Sequence, residues 1–208
     1  MTGTPAERLR SGLRGWHDAL EATGFAMAML AGTLPLERYV GQLAAYRPVL
    51  DALEEELSRT TCPAVTSVWS PDLAKVPLID RDLRYFAESG AAPSAGAAEE
   101  AQALVREIRR TAAAEPRELL GFLYVFEGST LGARFLRRHV AEAYRLDEKG
   151  GTDYYGSGDR ARWASFTARL NDALAEPETQ DRVLDAARRA YDHTARISLA
   201  LSTGLSQK

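Results

Sequence analysis

The chain has 208 residues, 45% of them hydrophobic and 26% charged, with a formal net charge of −3. That length fits one domain over residues 1–208 with a sizeable core, and the composition excludes a disordered protein. With no run of five basic residues, the footprint of a nucleic-acid binder is missing, so any anionic ligand must be met by local arginines. The longest apolar stretch, Gly24–Leu34, is too short to span a bilayer and is not placed like a signal peptide. The single cysteine, Cys62, excludes an intramolecular disulfide. A cytoplasmic location is the expectation.

Apolar residues recur at spacings of three and four while alternating runs are scarce, so the predicted fold class is all-α. Thr4-Pro5-Ala6-Glu7 carries a capping-box pattern with proline at the first helical position, predicting a helix from there to about Ala22. Tyr39, Leu43, Tyr46, Leu50, Leu53 and Leu57 trace a second helix, kinked at Pro48. Ser70-Pro71 opens a third, through Leu73, Leu78, Leu83 and Phe86, which Pro77 bends or divides. Ser89–Ala98 reads as a loop, and Ala101–Arg110 resumes helical spacing. Glu115-Pro116 starts the longest periodic segment, to about Tyr144. The glycine-rich stretch Asp147–Asp159 is a turn-rich connection, followed by helices near Ala161–Leu174 and Pro177–Leu201.

Two of these helices carry candidate chemistry. On the first, Arg10, Arg14, His17 and Glu21 are spaced four, three and four, sharing a stripe roughly 60° wide beside the apolar stripe of Leu9, Leu13, Trp16 and Leu20. A neutral imidazole can ligate iron, guanidiniums can pair with carboxylates, and the glutamate can orient the ring. The plain alternative is an i,i+4 surface pair beside a solvated arginine face. On the long helix, Gly121, Gly128 and Gly132 line one face, each costing roughly 1 kcal/mol relative to alanine. Their missing side chains admit either a neighbouring helix or a flat ligand, and Ser129 and Thr130 beside them can bend the helix. Spacing alone leaves both open.

The run Leu120–Arg134, LGFLYVFEGSTLGAR, resembles the distal helix of bacterial heme oxygenases, particularly the phytochrome-associated type. The likeness continues through His17-x-x-x-Glu21, Leu34-x-x-x-x-Tyr39, Leu78-x-x-Arg81-Asp82-Leu83, Tyr154-Tyr155-Gly156 with Trp163 after it, and the last helix. It covers nearly the whole chain. It implies an all-α heme-oxygenase-like domain with heme b between a proximal and a distal helix. His17 is then the proximal iron ligand and Glu21 its polar partner, with Arg10 and Arg14 at positions that contact propionates. Gly128 and Gly132 let the distal helix lie over the porphyrin with room for O2. Ser129 stands where some relatives carry a water-organising aspartate, so protons move through hydroxyls, backbone and water, and Ala133 stands where glycine is common. The implied activity is cleavage of heme, both cofactor and substrate, to biliverdin, CO and ferrous iron. Reduced ferredoxin or an NAD(P)H-dependent reductase supplies electrons, and the bilin can feed a phytochrome.

Competing readings use other residues. His139 and His193 are rival ligands whose surroundings do not repeat the first helix's constellation. Cys62 is a candidate nucleophile of the thiaminase type, but Thr60–Pro63 reads as a loop without a base. Tyr124, Trp163 and Tyr191 suit a core or pocket wall, and Arg162 and Arg169 either a second propionate contact or a solvated face. A heme-storage protein and a dinuclear-iron oxidase of the same fold are the alternative functions. The latter needs several inward Glu and His residues, and the chain has three histidines.

Overall fold

A computed structural model describes residues 3–146 and 150–205. Among them the regular structure is helical: α1 (Pro5–Gly12), α2 (Arg14–Glu21), α3 (Gly24–Leu30), α4 (Leu36–Arg59), α5 (Pro63–Val68), α6 (Val76–Glu88), α7 (Ala98–Ala114), α8 (Leu119–Ala143), α9 (Asp153–Gly156), α10 (Arg160–Ala173) and α11 (Pro177–Ser202). Single 3-10 turns occupy Pro71–Leu73 and Pro116–Glu118. No helix of the described residues is long and apolar enough to cross a membrane.

The expected first helix is two. The capping box forms, with the Thr4 hydroxyl accepting from Glu7 N at 3.3 Å and Glu7 Oε2 accepting from Thr4 N at 2.8 Å. At Leu13, however, the backbone moves to φ −108°, ψ −3°, which separates α1 from α2. The break follows Gly12, where an added Cβ would lie 3.0 Å from the Leu184 methyls of α11, so close packing falls where glycine weakens the helix. Pro48 lies inside α4, which runs over 24 residues. Pro71 opens only a 3-10 turn, and the helix begins at Val76 with Pro77 in its first turn, which needs no amide donor. Pro116 likewise opens a 3-10 turn, and α8 starts three residues later than expected.

Three short helices lie where none is expected. The apolar stretch from Gly24 forms α3, capped by the Thr23 hydroxyl. Pro63 opens α5, and Cys62, in extended backbone, ends the short loop before it. The turn-rich connection contains α9, while its residues 147–149 lie outside the described residues.

Helix α8 is the axis of the molecule. Over its first two turns Leu119, Leu120, Phe122, Leu123, Tyr124, Val125 and Phe126 are all buried, the signature of a segment covered on every side. It packs most extensively on α11, as α4 does on α7, and α11 also receives α2, α3, α4 and α7. Trp16 docks α2 onto α11, donating Nε1–H to Asp192 at 3.1 Å beneath the Arg188 guanidinium, 5.0 Å from the ring centre. Thus α2 and α8 both pack on α11.

Candidate functional site

Beside Trp16, the His17 side chain is half exposed and its ring lies 6.5 Å from that of Tyr191, edge to face. Both ring nitrogens face carboxylates: Nε2 is 3.5 Å from Glu21 and Nδ1 is 3.6 Å from Asp18. Asp18 is a partner that the stripe geometry did not single out. All three side chains are exposed, so either carboxylate can leave a ring nitrogen at little cost. Among the described residues these are the His, Cys, Asp and Glu side chains that converge at metal-ligand spacing. They lie on the surface and hold one histidine, which does not make the buried carboxylate cage of a dinuclear-iron oxidase.

Arg10 and Arg14 are exposed and, among the described residues, make no ion pair or side-chain hydrogen bond. The Arg10 charge is felt across the site by Tyr124 of α8, whose phenol burial pushes above its ordinary range and Arg10 pulls back. Burial also pushes the Tyr191 phenol up, to about 12. Tyr124 and Tyr191 are therefore neutral, buried side chains.

The glycine stripe of α8 divides by function. An added Cβ at Gly121 would lie 2.4 Å from the Val183 carbonyl oxygen, so this glycine serves the packing of α8 on α11. At Gly128 it would lie 3.3 Å from the Trp163 indole, whose ring also meets Tyr124 at 5.4 Å. At Gly132 it would meet nothing within 4 Å. Large apolar side chains are also uncovered: Phe135, three residues beyond Gly132, is 65% exposed, and Met27 and Leu30 of α3, a helix that packs on α8, are 59% and 51% exposed. Ser129 and Thr130 turn their hydroxyls back onto the helix, donating to Phe126 O and Glu127 O, each at 2.9 Å.

Sequence reasoning missed the polar framework behind this face. Glu127 is 2% exposed, yet it is ion-paired with the equally buried Lys75 and accepts from Arg162 Nε at 2.8 Å. Arg162 is therefore not on a solvated face, and Arg169 donates to Ser70 Oγ at 3.0 Å. Asp82 is fully buried and accepts from the amides of Asp153 and Tyr154 at 2.8 and 2.9 Å, seating α9. The available signal was an isolated charge inside each apolar run, Glu127 after Phe126 and Lys75 after Leu73-Ala74.

The rival sites lack comparable surroundings. His139 stacks on Phe135 with Nδ1 3.2 Å from the Phe135 carbonyl oxygen. His193 is half-buried in α11, and burial pulls its pKa down. The Cys62 amide donates to Thr60 Oγ1 at 3.1 Å, a local turn contact.

An exposed imidazole, two free guanidiniums, an open glycine and uncovered apolar side chains fit a flat apolar macrocycle with an anionic edge. Comparison with known proteins points the same way. The heme oxygenase family model matches residues 4–199. The chain is 26% identical to heme oxygenase 1 of Nostoc sp. (strain PCC 7120) over 197 residues, covering 92% of this chain and 83% of that protein. It shares its fold with the heme oxygenase of Leptospira interrogans, with a TM-score of 0.81 at 24% identity, covering 95% of this chain and 99% of that one. It also superposes on heme oxygenase-2 of Synechocystis sp. PCC 6803 in complex with heme and NO, with a TM-score of 0.82 at 22% identity, covering 96% and 85% of the two chains. With the family model spanning nearly its whole length, the chain belongs to the heme oxygenase family.

Proposed function

We propose that heme lies between α2 and the second half of α8, with His17 as its proximal ligand. The observation that carries this reading is the open position at Gly132, three residues before exposed Phe135 and about three turns along the same stripe from Gly121, which packs on α11. When bound, heme supplies both the iron that activates O2 and the macrocycle that is opened to biliverdin, CO and Fe2+.

The chain's own residues bind, orient and exclude. His17 would meet the iron once Glu21 or Asp18 gives up its ring nitrogen, and the carboxylate that stays would hold the imidazole's other N–H, directly or through water. Arg10 and Arg14 pair with the propionates. Phe135, Met27 and Leu30 exchange water for the porphyrin face, each contributing apolar burial at about 25 cal/mol per Å2. The glycine at 132 leaves room for O2, and Trp163 beside Gly128 narrows the approach on one side. Because the Ser129 hydroxyl donates to the helix, its oxygen is left as an acceptor, toward which the buried Tyr154 phenol lies, and this pair suits a proton path through hydroxyls and water.

Electrons come from reduced ferredoxin or an NAD(P)H-dependent reductase, and the bilin can supply a phytochrome. The deciding experiment is chromatography of the bilin formed aerobically from bound heme with reduced ferredoxin. Biliverdin with loss of the Soret band supports the reading. A persistent Soret band with no bilin turns it to heme storage.

A further inference from the structure

Behind the distal glycines the α9–α10 connection crosses α8 at its backbone. An added Cβ on Gly158 would lie 2.2 Å from the Thr130 carbonyl oxygen and 2.8 Å from Leu131 Cα, so the crossing falls between Gly128 and Gly132 and tolerates only glycine. One guanidinium ties this crossing down. Arg162 donates Nε–H to Glu127, the residue before Gly128, and a second N–H to the carbonyl oxygen of Ser157, the residue before Gly158, at 2.7 Å. Its chain neighbour, Trp163, is the indole that lies on Gly128. From the other side Lys75 Nζ holds Glu127 and donates to Leu73 O at 3.2 Å, while the Lys75 and Val76 amides donate to Glu54 of α4.

Burying these ions adds little stability, because an apolar pair of similar volume packs as well. What charges add is direction. Glu127 is held between cations from two segments, so α8 cannot turn about its axis without unpairing a buried carboxylate. A turn of about 20° would move each glycine Cα by about 0.8 Å, comparable to the tolerance of an O2 site.

We propose that Arg162 and Glu127 are positioning residues that fix how the distal helix sits over heme, and thereby which carbon bridge is cut. The proposal rests on the heme reading above. It predicts that Arg162 acts through Trp163 and the Gly158 crossing rather than by touching heme.

The test uses the whole chain with and without hemin. In the apo-protein, the Gly128 Hα that points at the Trp163 ring carries a ring-current shift that the Gly132 Hα protons lack. Arg162→Gln and Glu127→Gln are expected to lose that shift and to yield more than one biliverdin isomer, while hemin still binds one to one with a histidine-ligated spectrum. Arg162→Lys, which keeps the charge but cannot span both Glu127 and Ser157, serves where the glutamine variants do not fold and is expected to behave in the same direction. Variants that only melt earlier, with the Gly128 shift and the isomer ratio of the wild type, would overturn the proposal. Failure of the heme reading shows instead in the wild type, as absent hemin binding or absent bilin.

Discussion

A methyl group on Gly121 would stand 2.4 Å from the Val183 carbonyl oxygen and 2.7 Å from the Ala187 nitrogen, against backbone that cannot swing aside. Eleven residues along the same stripe, a methyl on Gly132 would meet nothing. Gly121→Ala is therefore expected to lower apo-protein stability by about 1–3 kcal/mol or more through overpacking, whereas Gly132→Ala should gain up to about 1 kcal/mol of helix propensity. The heme reaction reverses the order: Gly132→Ala should slow biliverdin formation or change its isomer ratio. Urea unfolding of both apo-variants and a bilin assay decide this, and a destabilised Gly132→Ala with normal turnover would refute the open-face assignment.

His17 is the histidine with exposed nitrogens between carboxylates, whereas His139 stacks on Phe135 and His193 is half-buried. Ferric hemin bound by His17→Ala is expected to lose the histidine-ligated spectrum, while His139→Ala and His193→Ala keep it. Optical titration of the three variants checks the ligand, and an unaltered spectrum in His17→Ala sinks it.

Arg10 and Arg14 have no partner to give up among the described residues. If each makes a charge-assisted contact with a propionate, Arg10→Ala and Arg14→Ala should each weaken hemin binding by about 1–3 kcal/mol, with apo-stability nearly unchanged. A double variant that binds hemin like the wild type would place the propionates elsewhere.

The all-helical class, the capping box at Thr4 and the long helices α8 and α11 are legible in the sequence because their periodicity extends over many turns. Helices α3 and α5, at seven and six residues, are too short to display a period. The break at Leu13 falls beside Gly12, which packs against Leu184 of α11, a contact that no local pattern contains. The glycine stripe shows the same limit. Its spacing places three glycines on one face, but only the fold assigns Gly121 to α11, Gly128 to Trp163 and Gly132 to open space. Glu127 stands beside the motif, yet its partners Lys75 and Arg162 come from segments 52 and 35 residues away, and charge pairing over such separations leaves no local trace.

The last prediction concerns pH and Asp82, which seats α9 and so the buried phenols of Tyr154 and Tyr155. Burial pushes the Asp82 carboxyl up to about 6, against the amides of Tyr154 and Asp153, which favour the charged form. The unfolded chain has the ordinary value, 3.8. Between these values the folded protein holds a proton that the unfolded chain has released. This group's contribution to stability therefore falls as pH rises from about 4 to about 6, by about 3 kcal/mol at most, and is level above that window. Neutral Asp82→Asn removes the dependence but presents an amide N–H2 to a backbone N–H, so it is expected to be less stable than the wild type at pH 5. The gap should narrow as pH rises from about 4 to about 6 and stay level above that, since only the wild type takes on a buried charge over this window. Urea unfolding of both proteins from pH 4 to 8, with the Asp82 carboxyl followed by 13C NMR, reads the two quantities independently. A carboxyl titrating near 4, or a constant gap between the two proteins, would show that the amides of α9 outweigh burial and that this anchor is indifferent to pH.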